Sequence, residues 1–259
     1  MNPKSCFITG ASGRLGKASA IALAREGWSV FFTFRNSIRE AKSTRDEIRR
    51  YGVNSECYKC DISRPKEITR VFRACRSETN ELHLAICNAS NFFPTPLPDV
   101  TEKDFDALVD TNLKGTFFTM QEAAKWMHEM SKTESRAKKK NILDSTGHLH
   151  KHIVVMTDVS ARLSWRRYAP YTAAKAGIEN LIRVFAKEFA PEILVNGIAP
   201  GTLLLHEQRD KPFEDAILQK IPLQRLGSPE DVVKALMFLV SSDYITGQII
   251  TVDGGRMLY

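Results

Sequence analysis

The chain contains 259 residues, of which 43% are hydrophobic and 26% are charged. This length predicts one large domain with a buried core, and the composition is typical of a soluble globular protein. No apolar run approaches the roughly 18 residues of a membrane-spanning helix, and the first residues lack the pattern of a secretory signal. We therefore expect a cytoplasmic protein without a membrane segment.

The formal net charge of +7 favours an anionic partner. A phosphorylated cofactor, an acidic carrier protein and nucleic acid are three classes that fit this charge. The sequence contains no zinc-finger or RNA-binding signature, so we expect no nucleic-acid partner.

Two patterns raise the question of a metal or redox site. Five cysteines are an odd number in a chain large enough to fold without disulfides, which indicates free thiols in a reducing compartment. Cys57 and Cys60 have the CxxC spacing, but they lie in an extended run, where residues three apart point to opposite faces. His148, His150 and His152 would share one face of a strand, yet they follow a basic cluster typical of a solvated loop. We therefore expect no metal site.

Short apolar runs alternate with amphipathic helical patterns along the chain. We predict strands at Cys6–Thr9, Trp28–Phe34, Val53–Cys60, Leu82–Cys87, His152–Thr157, Ile193–Ile198 and Gln248–Val252. We predict helices from after Gly16 to Ala24, and at Ile38–Tyr51, Pro65–Ser77, Thr101–Met130, Pro170–Ala190 and Pro229–Val240. Such alternation predicts βαβ units and a sheet covered on both faces. The predicted fold class is α/β: a single doubly wound domain over residues 1–259, with a mainly parallel seven-stranded sheet and helices on both faces.

Two segments depart from this alternation. Residues 131–151 carry a cluster of lysine and arginine side chains and predict a solvated, basic loop insertion. Residues 202–222 follow the sixth strand and are predicted to form a substrate lid, in which Leu203, Leu204 and Leu205 supply an apolar surface. His206 directly follows these leucines and is interpreted either as a surface residue or as an acid/base partner.

An acid/base cluster is predicted at the end of the fifth strand. Tyr171 and Lys175 are four residues apart on a predicted helix, so their side chains stack on one face. Asp158 stands at the strand end, where open parallel sheets place their functional groups. An ammonium near Tyr171 would lower the pKa of the phenol from about 10 towards neutrality. We therefore interpret Asp158, Tyr171 and Lys175 as catalytic.

A dinucleotide-binding turn is predicted between the first strand and the first helix. Gly10 allows a tight turn and Gly16 allows the helix to pack closely on the strand, so that backbone N–H groups face a pyrophosphate. Where an NAD site would have an acidic residue, the second strand ends in three hydrogen-bond donors, Arg35, Asn36 and Ser37. A guanidinium with amide and hydroxyl donors suits a 2′-phosphate, so we expect NADP(H) as the cofactor. Asp61, at the end of the third strand, is placed to accept from the adenine amino group.

Together these motifs resemble the short-chain dehydrogenase/reductase family over essentially the whole chain. The matching motifs are Thr9-Gly10…Gly16, Asn88-Ala89, Asn112, Tyr171-x-x-x-Lys175, Pro200-Gly201 and Val252-Asp253-Gly254-Gly255. The resemblance implies a Rossmann-like fold, a small-molecule substrate and a homotetramer, with Asn112 extending the catalytic group through water. The predicted cofactor-binding residues are Gly10, Arg14, Leu15, Gly16, Arg35, Asn36, Ser37, Asp61, Ile62, Asn88, Ala89, Ser90, Lys175, Pro200 and Gly201.

Three departures from the common family pattern resemble the pteridine reductase branch. Arg14 and Ser90 stand where glycines are usual, and Asp158 replaces the usual serine. The loop from Phe92 to Leu97 is similar to the substrate loop of that branch. By this resemblance, Phe92 stacks on a flat heterocycle and Tyr168 helps to hold the aspartate. The implied substrate-binding residues are Arg14, Ser90, Phe92, Asp158 and Tyr171.

We therefore interpret the chain as an NADPH-dependent reductase that transfers hydride to a pterin-like substrate of the dihydropterin, biopterin or folate type. Tyr171 and Asp158 would deliver the proton, because a carboxyl group donates only when it is protonated. The first alternative is an NADPH-dependent carbonyl reductase, such as a 3-oxoacyl-(acyl-carrier-protein) reductase, because the basic charge suits an acidic carrier. The second alternative is a non-catalytic NADP(H)-binding regulator, which would be expected to lose Tyr171 or Lys175.

Overall fold

The computed structural model describes residues 4–137, 150–203 and 211–258. In these residues seven parallel strands form one sheet in the order β3-β2-β1-β4-β5-β6-β7. The strands are β1 Ser5–Ile8, β2 Ser29–Phe34, β3 Ser55–Lys59, β4 Leu84–Cys87, β5 Lys151–Met156, β6 Ile193–Pro200 and β7 Ile249–Val252. This topology confirms the predicted doubly wound, Rossmann-like α/β fold, and the sheet is parallel throughout.

Helices connect successive strands and cover both faces of the sheet. They are α1 Arg14–Arg25, α2 Ile38–Arg49, α3 Pro65–Arg76, α4 Glu102–Val109, α5 Thr116–Ala137, α6 Ser160–Leu163, α7 Ala169–Phe189, α8 Lys211–Leu218 and α9 Pro229–Ser241. A short 3₁₀ turn, Arg256–Leu258, follows β7. Parallel strands need such crossovers, because a tight turn joins only antiparallel neighbours.

Two separate hydrophobic clusters explain why the inner strands are buried at every position. Successive strand residues point to opposite faces. Phe7 and Phe31 therefore belong to one cluster, whereas Ile8 and Phe32 belong to the other. All four side chains are fully or almost fully buried. The sheet is thus the middle of three layers.

The order of the strands places a crevice at the carboxyl ends of β1 and β4. β1 pairs with β2 on one side and with β4 on the other, so the connections leave β1 and β4 in opposite directions. Ligands of open α/β sheets bind at such a switch point. This geometry decides where functional side chains converge.

The predicted helix Thr101–Met130 is divided into three parts. Thr101 caps α4 by accepting from the N–H of Asp104 at 3.2 Å. A π-helical segment, Asp110–Gly115, separates α4 from α5. A side chain at position 115 would place its Cβ 2.5 Å from the Ile62 carbonyl oxygen, so glycine permits this close approach. Such π-helical segments are frequent at functional sites.

Several predicted boundaries were wrong. The last helix of this series continues to Ala137 and β5 begins at Lys151, so both ends of the predicted loop 131–151 belong to regular structure. Residues 138–149, including His148, lie outside the described residues. The predicted polar loop before Tyr171 contains the short helix α6.

The predicted lid 202–222 is described only in part. Helix α8 occupies Lys211–Leu218. Positions 204–210 lie outside the described residues, so the predicted roles of Leu204, Leu205 and His206 stay predictions.

Neither the described helices nor the described side chains provide a membrane span or a metal cluster. None of these helices is long and apolar enough to cross a bilayer. The same ranges contain no group of three or more histidine, cysteine or acidic side chains that could hold an ion. The five cysteines are free. Burial raises the pKa of Cys60 and of Cys87 to about 12, so these thiols stay protonated at neutral pH.

We predict that Gly16→Ala destabilises the protein, because the new Cβ would lie 2.3 Å from the Gly10 carbonyl oxygen. Overpacking of this kind costs about 1–3 kcal/mol of unfolding free energy. Gly13→Ala is the matched control, since a Cβ there meets no atom within 4 Å. Urea denaturation of both variants measures the difference, and equal destabilisation would contradict the prediction.

Candidate active site

A cleft of about 460 Å³ lies at the carboxyl ends of β1, β2, β3 and β4. Twelve of the predicted cofactor-binding residues line it: Gly10, Arg14, Leu15, Gly16, Arg35, Asn36, Ser37, Asp61, Ile62, Asn88, Ala89 and Ser90. The remaining three predicted cofactor residues, Lys175, Pro200 and Gly201, are not part of its lining. Sequence reasoning missed Asn91 and Thr111, which also border this cleft.

Hydrogen bonds between β1 and β4 shape the floor of the cleft. The Asn88 amide nitrogen donates to the carbonyl oxygens of Gly10 at 2.8 Å and Thr9 at 3.1 Å. The Thr9 hydroxyl oxygen accepts from the backbone N–H groups of Asn88 at 2.9 Å and Ala89 at 3.0 Å. Gly10 has a φ of +70°, which glycine adopts without strain. These contacts therefore fix the turn before α1, which borders the cleft next to the N-terminus of this helix.

The rim of the cleft carries both a cation and a carboxylate. The Arg35 Nη1 donates to the Asn91 side-chain oxygen at 3.2 Å. One Asp61 oxygen accepts from the backbone N–H of Ser63 at 3.0 Å and from its hydroxyl at 2.7 Å. Burial raises the pKa of Asp61. The Ser63 hydrogen bonds and the charges of Arg35 and Arg64 together have a larger, opposite effect, so that the pKa lies below its usual range. These groups, together with the open glycine turn, fit a phosphorylated dinucleotide.

The three predicted acid/base residues come together behind this cleft. Tyr171 and Lys175 lie one turn apart on α7, and each is only 4% exposed. The Tyr171 hydroxyl donates to Asp158 Oδ2 at 2.9 Å, and the Ser160 backbone N–H donates to Asp158 Oδ1 at 2.7 Å. The Lys175 ammonium donates to the Met156 carbonyl oxygen at 3.0 Å. The segment at the end of β5 therefore supplies the hydrogen-bond acceptors of both α7 side chains: Asp158 for Tyr171 and Met156 for Lys175.

The electrostatics of this group differ from the expectation. Burial, followed by the charge of Asp158 and its hydrogen bond, raises the pKa of Tyr171 well above its ordinary value, while a hydrogen bond with Ser90 acts in the opposite direction. Burial lowers the pKa of Lys175 to about 8, against the charges of Asp158 and Cys87. The Lys175 Nζ lies 5.7 Å from the Tyr171 ring centroid. The predicted lowering of the Tyr171 pKa towards neutrality was therefore wrong, because the phenol is bonded to a carboxylate.

The π-helical segment anchors the loop that follows β4. The Ser90 hydroxyl donates to Asn112 Oδ1 at 2.6 Å, and Asn112 Nδ2 donates to the Asn91 carbonyl oxygen at 2.8 Å. The Asn91 amide in turn donates to Thr111 Oγ1 at 2.9 Å. Asn112 is fully buried, so in this structure it bonds to the loop rather than to Lys175. Hydrogen bonds to Thr111 and Asn112 therefore fix the position of the loop that carries Ser90.

Four aromatic rings beside Asp158 form what we call the aromatic cluster: Phe92, Trp165, Tyr168 and Tyr171. Phe92 stacks on Tyr168 with centroids 4.8 Å apart and planes 2° apart, and meets Tyr171 edge-on at 4.9 Å. Trp165 lies 6.4 Å from Phe92 and 6.2 Å from Tyr168. Phe92 remains 48% exposed. The implied contact of Tyr168 with Asp158 was wrong, because the carboxylate bonds to Tyr171 and Ser160 while Tyr168 stacks on Phe92.

Sequence reasoning also missed a guanidinium beside this cluster. The Arg256 Cζ lies 4.8 Å from the centroid of the Trp165 ring. Gly201, at the end of β6, permits the approach of this terminal segment, since a Cβ there would lie 2.7 Å from Asp253 Cα. No local sequence pattern signals a contact between residues so far apart in the chain.

Known proteins that are similar to this chain identify its family. A family profile described as Enoyl-(Acyl carrier protein) reductase matches residues 10–256. A 3-oxoacyl-(acyl-carrier-protein) reductase of Staphylococcus epidermidis is 30% identical over 260 residues, with 98% of this chain and 99% of the relative covered. The chain belongs to the short-chain dehydrogenase/reductase family. It is accordingly an oxidoreductase.

Two further relatives support the same family. A short chain dehydrogenase/reductase of Aspergillus novofumigatus is 28% identical over 276 residues, with 98% of this chain and 96% of the relative covered. The crystal structure of a putative short-chain alcohol dehydrogenase from Sinorhizobium meliloti superposes with a TM-score of 0.87 at 29% identity. That match covers 100% of this chain and 98% of the other.

We predict that Asp158→Asn lowers the pKa of the Tyr171 phenol, because it removes the negative charge that disfavours the phenolate. Ultraviolet titration of phenol ionisation measures this pKa, because the signal of Tyr171 is the part of the titration curve that the same protein with Tyr171→Phe lacks. Tyr168→Phe is the matched control and leaves it unchanged. An unchanged titration in Asp158→Asn would show that the carboxylate does not govern the phenol.

Proposed function

We propose that the protein is an NADPH-dependent carbonyl reductase that acts on a 3-oxoacyl thioester. One observation supports this more than any other: a buried phenol, Tyr171, donates to the Asp158 carboxylate beside a cleft whose lining fits a dinucleotide. The names of the relatives support the substrate, since the Staphylococcus epidermidis and Staphylococcus aureus proteins at 30% identity are both 3-oxoacyl-(acyl-carrier-protein) reductases. These comparisons favour this alternative over a pterin substrate.

The proposed cofactor contacts follow the cleft. NADPH, when bound, supplies the hydride that adds to the carbonyl carbon. The backbone at Gly10, Arg14 and Leu15 would face its pyrophosphate, and α1 has no acidic residue in its first turn to repel the phosphates. Arg35 would pair with the 2′-phosphate. Asp61 would accept from the adenine amino group.

Tyr171 is the proposed proton donor in the direction of reduction. A phenol whose pKa is raised stays protonated at neutral pH, which is the state that an acid needs. It donates its proton to the carbonyl oxygen of the substrate as that oxygen becomes negative. In this structure the hydroxyl donates to Asp158 at 2.9 Å, which fixes the phenol oxygen, and the O–H bond must rotate from this carboxylate to the substrate oxygen before the proton is transferred.

Lys175 and Asn112 have supporting roles in the proposal. The Lys175 ammonium, held by the Met156 carbonyl, would bind the nicotinamide ribose. Asn112 positions Ser90 at the cleft through the 2.6 Å hydrogen bond. An acidic carrier protein is the partner that the net charge of +7 favours. The homotetramer stays a proposal: among the described residues β7 pairs only with β6, and a second copy of the chain could cover this sheet edge.

A second candidate substrate, a dihydropterin, is favoured by two features that a flexible acyl chain does not need. Asp158 occupies the position of the usual serine, and Phe92 offers an aromatic surface that is 48% exposed. A flat polar heterocycle binds to such a surface by stacking and directional hydrogen bonds. Reduction of its C=N bond would use the same phenol as acid.

We predict that Arg35→Ala raises the KM for NADPH about tenfold or more, because a charge-assisted hydrogen bond to the 2′-phosphate is lost. The KM for NADH changes little. Arg50→Ala is the control, since this exposed arginine follows α2 at the end away from the cleft. A similar rise for both cofactors would contradict a phosphate contact.

We predict that the wild-type protein oxidises NADPH with an acetoacetyl thioester, and that Tyr171→Phe lowers kcat about a hundredfold or more by removing the acid. Dihydrobiopterin and biopterin are assayed in parallel. Turnover of pterins alone, with a large loss in Asp158→Ser, would establish the second candidate. Full activity of Tyr171→Phe on every substrate would contradict both.

A further inference from the structure

Arg256 is fixed by the segment that carries it. It begins the 3₁₀ turn after β7, and its backbone N–H donates to the Asp253 carbonyl oxygen at 3.3 Å. The Asp253 carboxylate accepts from the backbone N–H groups of Gly255 at 2.9 Å and Met257 at 2.8 Å. The φ of Gly255 is +88°, and a Cβ there would lie 2.9 Å from Pro222 Cγ. The backbone below the guanidinium therefore has little freedom.

The Arg256 guanidinium contacts one aromatic ring and donates one side-chain hydrogen bond. Its carbon lies 4.8 Å from the Trp165 ring centroid, and its Nη1 donates to the Thr202 hydroxyl. A guanidinium has five N–H donors in one plane. In the residues that the structure describes, Thr202 is its one side-chain hydrogen-bond partner. The remaining donors have no side-chain hydrogen-bond partner among the described residues.

No carboxylate in the described ranges forms an ion pair with this cation. Asp158 and Asp253 are near enough to raise the pKa of Arg256, but burial has the larger effect and lowers it. Both carboxylates are already committed, Asp158 to Tyr171 and Ser160 and Asp253 to its own turn. A half-buried cation without a close anion is costly unless a ligand supplies the acceptor.

The aromatic cluster connects this cation to the reacting phenol. Phe92 lies 6.4 Å from Trp165 and 4.9 Å from Tyr171, measured between ring centroids. Arg256 contacts Trp165 at one end of this cluster, and Asp158, the hydrogen-bond partner of Tyr171, is near enough to affect the pKa of Arg256, so the guanidinium lies in the neighbourhood of the phenol. A substrate bound there would contact both the Tyr171 phenol and the N–H donors of Arg256.

We propose that Arg256 determines substrate specificity by donating hydrogen bonds to a second oxygen-bearing group of the substrate, next to the carbonyl that is reduced. This inference rests on the proposed reductase function and names the residue that would recognise its substrate. Arg256 selects compounds with a second carbonyl oxygen beside the ketone, such as 3-oxo thioesters, esters and acids, over simple ketones. A guanidinium suits this task, because its N–H donors can bind one carbonyl oxygen and can also match both oxygens of a carboxylate.

Three small probes separate this role from simple size or polarity. Acetoacetate carries an anionic acceptor and methyl acetoacetate a neutral one, whereas 4-methyl-2-pentanone replaces the carboxylate by an isosteric isopropyl group. Each is assayed by NADPH oxidation. Each is also titrated into the NADP⁺ complex by calorimetry, which needs no turnover. The variants are Arg256→Met, Arg256→Lys and the charge control Arg50→Met.

The wild-type protein is expected to prefer acetoacetate over the ketone by at least about tenfold in both Kd and kcat/KM, with the ester in between. Arg256→Met reduces this preference to less than about threefold by raising KM more than it lowers kcat. Arg256→Lys restores part of it, and Arg50→Met leaves it intact. Equal thermal unfolding midpoints exclude misfolding as the cause.

Two results would overturn the inference: wild-type protein that binds acetoacetate no better than the ketone, and Arg256→Met that keeps the wild-type preference. Failure of the proposed function gives a different result. In that case no carbonyl compound supports NADPH oxidation, while the calorimetric preference and its loss in Arg256→Met still decide the role of Arg256.

Discussion

The hydrogen bond between the Tyr171 phenol and the Asp158 carboxylate is the contact on which the proposed chemistry depends. Both groups are fixed by neighbours, Asp158 by the Ser160 N–H and Tyr171 by burial on α7. A hydrogen bond to a charged group in such a site contributes about 1.5–3 kcal/mol. It also keeps the proton on the phenol, because a second negative charge beside the carboxylate is unfavourable. Without substrate, the site therefore keeps the phenol protonated, which is the form that a general acid needs, and a raised pKa also means that the phenol holds this proton more tightly.

The sheet brings the proton donor and the cofactor cleft to the same edge. The cleft lies over β1 and β4, while Asp158 lies two residues after β5, the neighbour of β4. Asn88 holds the glycine turn from β4, and the buried Asn112 holds the loop that carries Ser90. Because the π-helical segment positions Asn112, an irregular piece of helix supports the boundary between cofactor and substrate. The aromatic cluster then covers the substrate side.

Features set by local sequence were predictable, whereas features set by distant contacts were not. The parallel sheet follows from alternating strands and helices, and the pairing of Tyr171 with Lys175 follows from helical spacing. The raised pKa of Tyr171 could not be predicted from the sequence, because it depends on the burial of the phenol and on its contact with the Asp158 carboxylate. Arg256 gave no local signal either, since its contact with Trp165 exists only after the terminal segment packs against the loop before α7.

The pH dependence of kcat/KM for alcohol oxidation tests the central claim most directly, since this direction needs the Tyr171 phenolate as base. The account predicts a rate that still rises at about pH 9, because the free phenol retains its proton well above neutrality. Asp158→Asn should shift this rise to lower pH. A plateau reached near neutral pH in the wild-type protein would contradict the account, because it would show that Lys175, not Asp158, governs the phenol.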